Sequence, residues 1–223
     1  MIYIKSLNWT NDLAIEKKSV RNRLFPLYIE FDDPITVIVG KNGSGKSRLF
    51  HNIEGRAEAL RSMYRYRDDT FHRDYYKDEA DRYDIELELN QEYPMTTGIL
   101  NYKAKEVFND GFYSGDVLQL AKHWMSNGEI RQTLMERIRD CADSMRKDGV
   151  VGVMMLDEID HGLDYTKQRK MARLLKQSSD VLQFIVATHN IPFMMQFERL
   201  YDIEHKCYVS SEDYVNKIIR RQK

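Results

Sequence analysis

Three short stretches carry residue types that could handle a nucleoside triphosphate. The first is Gly40-Lys41-Asn42-Gly43-Ser44-Gly45-Lys46-Ser47, which fits G-x-x-x-x-G-K-[ST]. Glycines at 40, 43 and 45 let the backbone enter conformations closed to side chains and turn N–H groups toward phosphate oxygens. Lys46 would neutralise the β- and γ-phosphates, and Ser47 Oγ would ligate Mg²⁺. Arg48 carries the set one residue into the stretch that follows. The bland alternative is a glycine-rich turn. The second stretch is Asp157-Glu158, closing the apolar run Val150–Leu156. Asp157 would hold Mg²⁺, directly or through water, and Glu158 would polarise a water for in-line attack on the γ-phosphate. Two acids that merely cap a turn are the alternative. The third is Thr188-His189-Asn190, where His189 could hydrogen-bond the γ-phosphate or the attacking water.

The elements that must position these residues follow from the hydropathy pattern. Ile35–Val39 reads as a strand running into the glycine loop, and a helix is expected from Lys46 to about residue 66, with Leu49, Phe50, Ile53, Ala57 and Leu60 on one face. The run 150–156 is continuously apolar, as a strand buried on both faces of a parallel sheet requires, and 181–187 reads as another buried strand. A helix over 165–178 lies between them. That is one βαβ step, so Asp157 and His189, 32 residues apart, reach the same edge of the sheet. Carboxylates at the carboxyl ends of such strands lie where open α/β sheets bind ligands. Residues 1–8, 24–31 and 83–89 read as further strands, 10–23 as a loop, and 129–147 as a long helix with Leu134, Ile138, Cys141 and Met145 at helical spacing. Residues 116–125 also look helical, and 98–109 are ambiguous. A short helix, a strand near 200–203, a hairpin-like piece and a C-terminal helix from about Ser211 complete the chain. Strands alternating with helices give an α/β fold with a parallel sheet.

Composition narrows the class. With 42% hydrophobic and 31% charged residues the chain suits a globular protein with a real core. A net charge of −1 gives no overall field for nucleic acid, although a local patch remains open. Cys141 and Cys207 are not in a metal spacing, so reduced thiols and a cytoplasmic setting are expected. No apolar run reaches the roughly 18 residues of a membrane span, and the N-terminus lacks a signal-peptide pattern. Membrane insertion is therefore not expected. No internal repeat or linker appears, so 1–223 reads as a single domain.

Taken together, Gly40–Ser47, Leu156-Asp157-Glu158, Asp160-His161-Gly162-Leu163-Asp164 and Ala187-Thr188-His189 resemble the Walker A, Walker B, D-loop and switch-histidine series of ABC-type ATPases. The resemblance runs from Met1 to about Asn190. Two opening strands and Asp157-Glu158-Ile159-Asp160 look more like the SMC, RecF and OLD-type branch than like transporter cassettes. It implies a P-loop NTPase fold with an ABC-ATPase-like core: a parallel sheet flanked by helices, antiparallel N-terminal strands and a small helical lobe, here within 61–147. It further implies ATP and Mg²⁺ as cofactors and ATP hydrolysis as the activity.

The family also carries a signature motif. Met125-Ser126-Asn127-Gly128-Glu129 is the candidate, with Ser126 31 residues before Asp157 at the start of a predicted helix. A Ser hydroxyl, a permissive Gly and a helix N-terminus are again anion-binding chemistry. Tyr113-Ser114-Gly115-Asp116 is a rival, and a plain helix cap is the alternative for Ser126. In the family the signature of one subunit closes on the ATP of the other. The resemblance thus implies a head-to-tail homodimer with ATP at its interface, contacted by Ser126, Gly128 and Glu129, and with Asp160–Asp164 crossing between the sites. Gln91, at the end of a predicted strand, resembles the glutamine that senses Mg²⁺.

The 78 residues between Ser47 and Ser126 carry no sustained heptads, so neither the long coiled coil of SMC proteins nor an appended nuclease domain is expected. A bare head needs a partner protein or a bound polymer to receive the work of ATP closure. Basic stretches offer possible contacts: Lys167, Arg169, Lys170, Arg173 and Lys176 after the D-loop, and Lys217, Arg220, Arg221 and Lys223 at the tail. In 61–83 basic and aromatic residues interleave, but acids cancel the charge, leaving a solvated helical extension or a nucleic-acid face. The leading expectation is an ATP-hydrolysing dimerisation switch serving a DNA-linked process or an effector protein. The alternatives are the ATPase subunit of a membrane transporter, a small-molecule kinase, and a non-catalytic ATP-regulated binding module.

Overall fold

The computed structural model describes residues 3–9, 27–65, 68–81, 83, 85–90, 99–103, 127–160 and 162–221. Among the described residues the expected elements are present, with strands β1 (Ile4–Trp9), β2 (Leu27–Glu30) and β3 (Ile35–Val39) leading into helix α1 (Lys46–Arg65); the loop expected at 10–23 and the helix expected at 116–125 lie outside them. Next come α2 (Thr70–Asp81), β4 (Ile85–Leu89), β5 (Ile99–Lys103) and α3 (Asn127–Asp148). The C-terminal part holds β6 (Gly152–Asp157), α4 (Tyr165–Ser178), β7 (Leu182–Thr188), α5 (Ile191–Met194), β8 (Arg199–Asp202), β9 (Cys207–Ser210) and α6 (Ser211–Arg221).

Two sheets form. β2, β1 and β4 make a small antiparallel sheet, and six strands in the order β5-β6-β7-β3-β8-β9 make the main one. In the main sheet β5, β6, β7, β3 and β8 are parallel and β9 pairs antiparallel to β8. The architecture is α/β, a parallel sheet flanked by helices with an antiparallel N-terminal sheet beside it. The strand β5 falls in the stretch whose sequence was ambiguous. Its Ile99 pairs opposite Val153 of β6.

The continuous apolar runs are explained by burial on both faces of the sheet. Val37, Val39, Met154, Leu156, Phe184 and Val186 face one core with Leu134, Ile138, Met171 and Leu175 of α3 and α4. Ile38, Val153, Met155, Ile185 and Ala187 face the other core with Leu49, Phe50 and Ile53 of α1, and with Leu7 and Trp9 of the small sheet. Gln183 of β7, polar and fully buried, joins the two sheets. Its Oε1 accepts from Tyr3 N (2.9 Å) and Ile4 N (2.7 Å), and its Nε2 donates to Ile4 O (2.9 Å).

Of the interleaved stretch after Leu60, residues 61–65 close α1 and residues 70–81 form α2, which packs against α1. Phe71 and Tyr75 of α2 are exposed. Cys141 and Cys207 are free thiols. Among the described residues no helix is long and apolar enough to cross a membrane.

Candidate functional site

β3 delivers the chain into the 40–47 loop, and α1 starts at Lys46, so the loop lies at a helix N-terminus as the pattern requires. Gly43 and Gly45 sit at φ 78° and 95°, the left-handed region that disfavours side chains. Gly40 is needed for a different reason. A Cβ there would come within 2.7 Å of Ile203 Cγ2 and 2.8 Å of Ser44 Oγ. The loop is thus closely wound, with Lys46 Nζ donating to the carbonyls of Gly40 (2.9 Å) and Lys41 (3.1 Å). Burial lowers the Lys46 pKa below its ordinary value, opposed by the carboxylates of Glu158, Asp157 and Glu204. Two adjacent acids at the end of the 150–156 run and a third some 46 residues further on therefore share the field of one loop lysine. Ser44 Oγ is buried with no hydrogen-bond partner among the described residues. An unsatisfied hydroxyl inside a glycine cradle beside a buried cation fits a phosphate ligand. Ser47, in the first turn of α1, is exposed.

β6 ends in Asp157, which is buried at the sheet edge. Glu158 follows with φ 53°, in the left-handed region, and its N–H donates to Ala187 O at 2.9 Å. A non-glycine residue there costs of order 1 kcal/mol or more and tends to mark a functional position. The turn aims the Glu158 side chain across β7. Glu158 Oε1 lies 3.2 Å from His189 Nδ1, with the two side chains 39% and 43% exposed. The edge between β6 and β7 thus brings together the acid and the imidazole that the sequence placed one βαβ step apart.

Behind this pair runs a buried relay that spacing alone did not reveal. Thr188 Oγ1 donates to Asp160 Oδ2 at 2.9 Å and accepts from Asn190 N at 3.0 Å. Burial raises the Asp160 pKa, and the Thr188 hydrogen bond partly offsets it. Asp164, the last residue of the stretch that resembles the D-loop, N-caps α4 by accepting from Lys167 N at 2.9 Å. Glu204, on the turn after β8, accepts from Lys41 N at 3.2 Å and lies 3.8 Å from Lys41 Nζ. Only the charge of Glu204 was readable beforehand; its partner lies 163 residues away.

Helix α3 begins at Asn127, so Gly128 and Glu129 lie in its first turn. Ser126, the rival Ser114 and Gln91 lie outside the described residues.

No protein-family model and no curated protein matches the chain. A solved structure of cbiO1 from Clostridium perfringens, described as part of the ABC transporter complex cbiONQ, matches with a TM-score of 0.52 and 15% sequence identity. The match covers 99% of this chain and 94% of that one. At this identity the likeness establishes the fold, an ABC-ATPase-like P-loop α/β architecture.

Proposed function

We propose that this chain binds and hydrolyses ATP, and that hydrolysis is timed by head-to-tail closure of two copies in the manner of an SMC/RecF/OLD-like head. The observation that carries this reading is Glu158 held beside His189 at the sheet edge, with its charge felt by Lys46 of the phosphate loop. Lys46 supplies the cation for the β- and γ-phosphates, and the loop N–H groups and the α1 N-terminus supply the anion cradle. Glu158 takes the proton of a water as its oxygen attacks the γ-phosphorus and the bond to ADP breaks. His189 orients that water or the γ-phosphate. Ser47, Asp157 and Gln91 would hold Mg²⁺, which would supply charge neutralisation for the phosphate oxygens. Ser126, Gly128 and Glu129 of a second copy close the site. The work goes to a DNA-linked process or an effector protein.

Size by light scattering with and without Mg-ATP tests this. Glu158→Gln is expected to bind ATP, turn it over poorly and accumulate as a dimer only with ATP; adding Ser126→Arg abolishes that dimer. A Glu158→Gln variant that stays monomeric in saturating Mg-ATP overturns the closure model. A second reading, the ATPase subunit of a membrane transporter, is favoured by the likeness to cbiO1. It predicts an integral membrane protein in a detergent pull-down.

A further inference from the structure

We propose that the groove between α3 and α4 is a binding site for the phosphate backbone of a nucleic acid, which gives the DNA-linked reading above a place on the molecule. Helix α4 carries five cations and no acid. The structure sorts them. Lys167 Nζ lies 3.9 Å from Asp164, Arg169 stands over the Tyr165 ring, and Lys176 donates to Gln196 O while standing over Phe197. Among the described residues Lys170 and Arg173 have no such local partner. They join Arg139 of α3 around a cavity of about 290 Å³ that is otherwise lined by Met135, Leu174 and Gln177.

Helical spacing explains the convergence. Met135 and Arg139 are four apart on α3; Lys170, Arg173, Leu174 and Gln177 follow the i, i+3, i+4, i+7 pattern on α4. Packing the buried Met135 and Leu174 against each other's helices brings the three exposed cations into one groove. Among the described residues none of the three is in an ion pair, and no carboxylate lines the cavity. At the C-terminal ends of the two helices, Asp143 and Asp180 are already engaged by Arg146, at 2.7 Å each. Three like charges gathered without a counter-charge repel one another, and an anion relieves this.

The shape of the patch favours a polymer over a small anion. The exposed cations run from Arg169 to Lys176, about 10 Å along the helix axis. Guanidinium forks at 139 and 173 match phosphate geometry. Among the described residues no aromatic ring lines the groove for base stacking, so contact is to the backbone and indifferent to sequence. The groove also lies between the helix that opens at the candidate signature and the helix that follows the Asp160–Asp164 turn. A polymer seated there bears on both.

Fluorescence anisotropy of labelled duplex and single-stranded oligonucleotides with the full chain, without nucleotide, tests the site independently of ATP hydrolysis. Binding is expected to weaken steeply between roughly 50 mM and 200 mM salt. The Arg139→Ala/Lys170→Ala/Arg173→Ala variant is expected to lose about 100-fold in affinity near 0.1 M salt and to reduce the salt slope by roughly 2–3. Lys5→Ala, at an exposed cation of β1, should leave both unchanged. Circular dichroism and the ATP turnover of the triple variant report on its fold and on the nucleotide site separately. Failure of the wild type to bind either oligonucleotide overturns the proposal, as does undiminished binding by a folded triple variant. Displacement of the oligonucleotide by an acidic peptide at lower concentration than by unlabelled DNA overturns it in favour of a protein partner.

Discussion

Two acid–histidine pairs stand at the carboxyl edge of the main sheet, on either side of the strand that feeds the phosphate loop, and they are held in opposite ways. Glu158 and His189 come from the ends of different strands, are each more than a third exposed, and meet at 3.2 Å. Glu158 has a left-handed backbone. Asp202 and His205 come from one turn, three residues apart, and meet at 2.6 Å. The Asp202 side chain is only 2% exposed and also accepts from Glu204 N (3.0 Å) and His205 N (3.3 Å), with Lys217 Nζ 3.8 Å away. An acid so fully satisfied fixes a turn, here the one that carries Glu204 to the loop. An acid left partly open on a strained backbone is available to chemistry. Residue type alone does not separate these roles; burial and hydrogen bonding do.

The sharpest way to break the comparison is to neutralise each acid in turn. Glu158→Gln should slow ATP turnover by about 10²–10⁴-fold, the usual weight of a general base, with the thermal midpoint nearly unmoved. Phosphate release and thermal melting measure the two quantities. Loss of stability without loss of turnover would reverse the roles assigned to the pairs. Asp202→Ala should do the opposite. It leaves the N–H groups of Glu204 and His205 and the Lys217 cation without their acceptor, at a cost of roughly 1–3 kcal/mol. Urea unfolding reads this, and turnover per folded molecule should stay near that of the wild type.

A third variant separates strain from chemistry at one position. Glycine accepts φ 53° freely, so Glu158→Gly should relieve roughly 1 kcal/mol of backbone strain, less the extra entropy of the unfolded chain. The variant should be as stable as the wild type or more so, yet inactive. A clear loss of stability would mean that the Glu158 side chain holds the edge together and that its openness is misleading.

Local signals carried the parts of the fold that local rules govern. The span of α4 was readable because Asp164 caps its start and Met171, Leu174 and Leu175 give its period. β6 and β7 were readable because strands covered on both faces are dominated by apolar residues. β5 was not, since Ile99-Leu100-Asn101-Tyr102-Lys103 has no clean alternation and becomes a strand through its pairing with β6. At the site, the loop, Asp157-Glu158 and His189 announced themselves by type and spacing. The Thr188–Asp160 bond, the reach of Glu204 to Lys41 and the Gln183 staple depend on contacts between distant segments. Even so, a lone glutamine inside the apolar run 181–187 was a visible hint of a buried polar contact. The basic run of α4 was visible too, but which of its cations stay available depends on Tyr165, Phe197 and Gln196, which only the folded chain brings near.

The smallest expected effect concerns the acid behind the chemical pair. Asp160 is buried and its pKa is raised mainly by desolvation, so the folded state holds its proton more tightly than the unfolded state does. Within the window between the ordinary carboxyl value of 3.8 and the raised folded value, the folded chain binds more protons than the unfolded one. Stability attributable to this group therefore falls as pH rises through that window. Asp160→Asn removes the titration while keeping an oxygen for the Thr188 hydroxyl. The variant should match the wild type in acid and become the more stable of the two as pH rises past the window, as thermal melts at a series of pH values would record. A wild type that gains on the variant as pH rises would show that the ionised Asp160 is stabilised by its surroundings. The relay through Thr188 would then be a charged extension of the Glu158–His189 pair, and the boundary between the strained chemical edge and its satisfied support would lie one residue layer deeper.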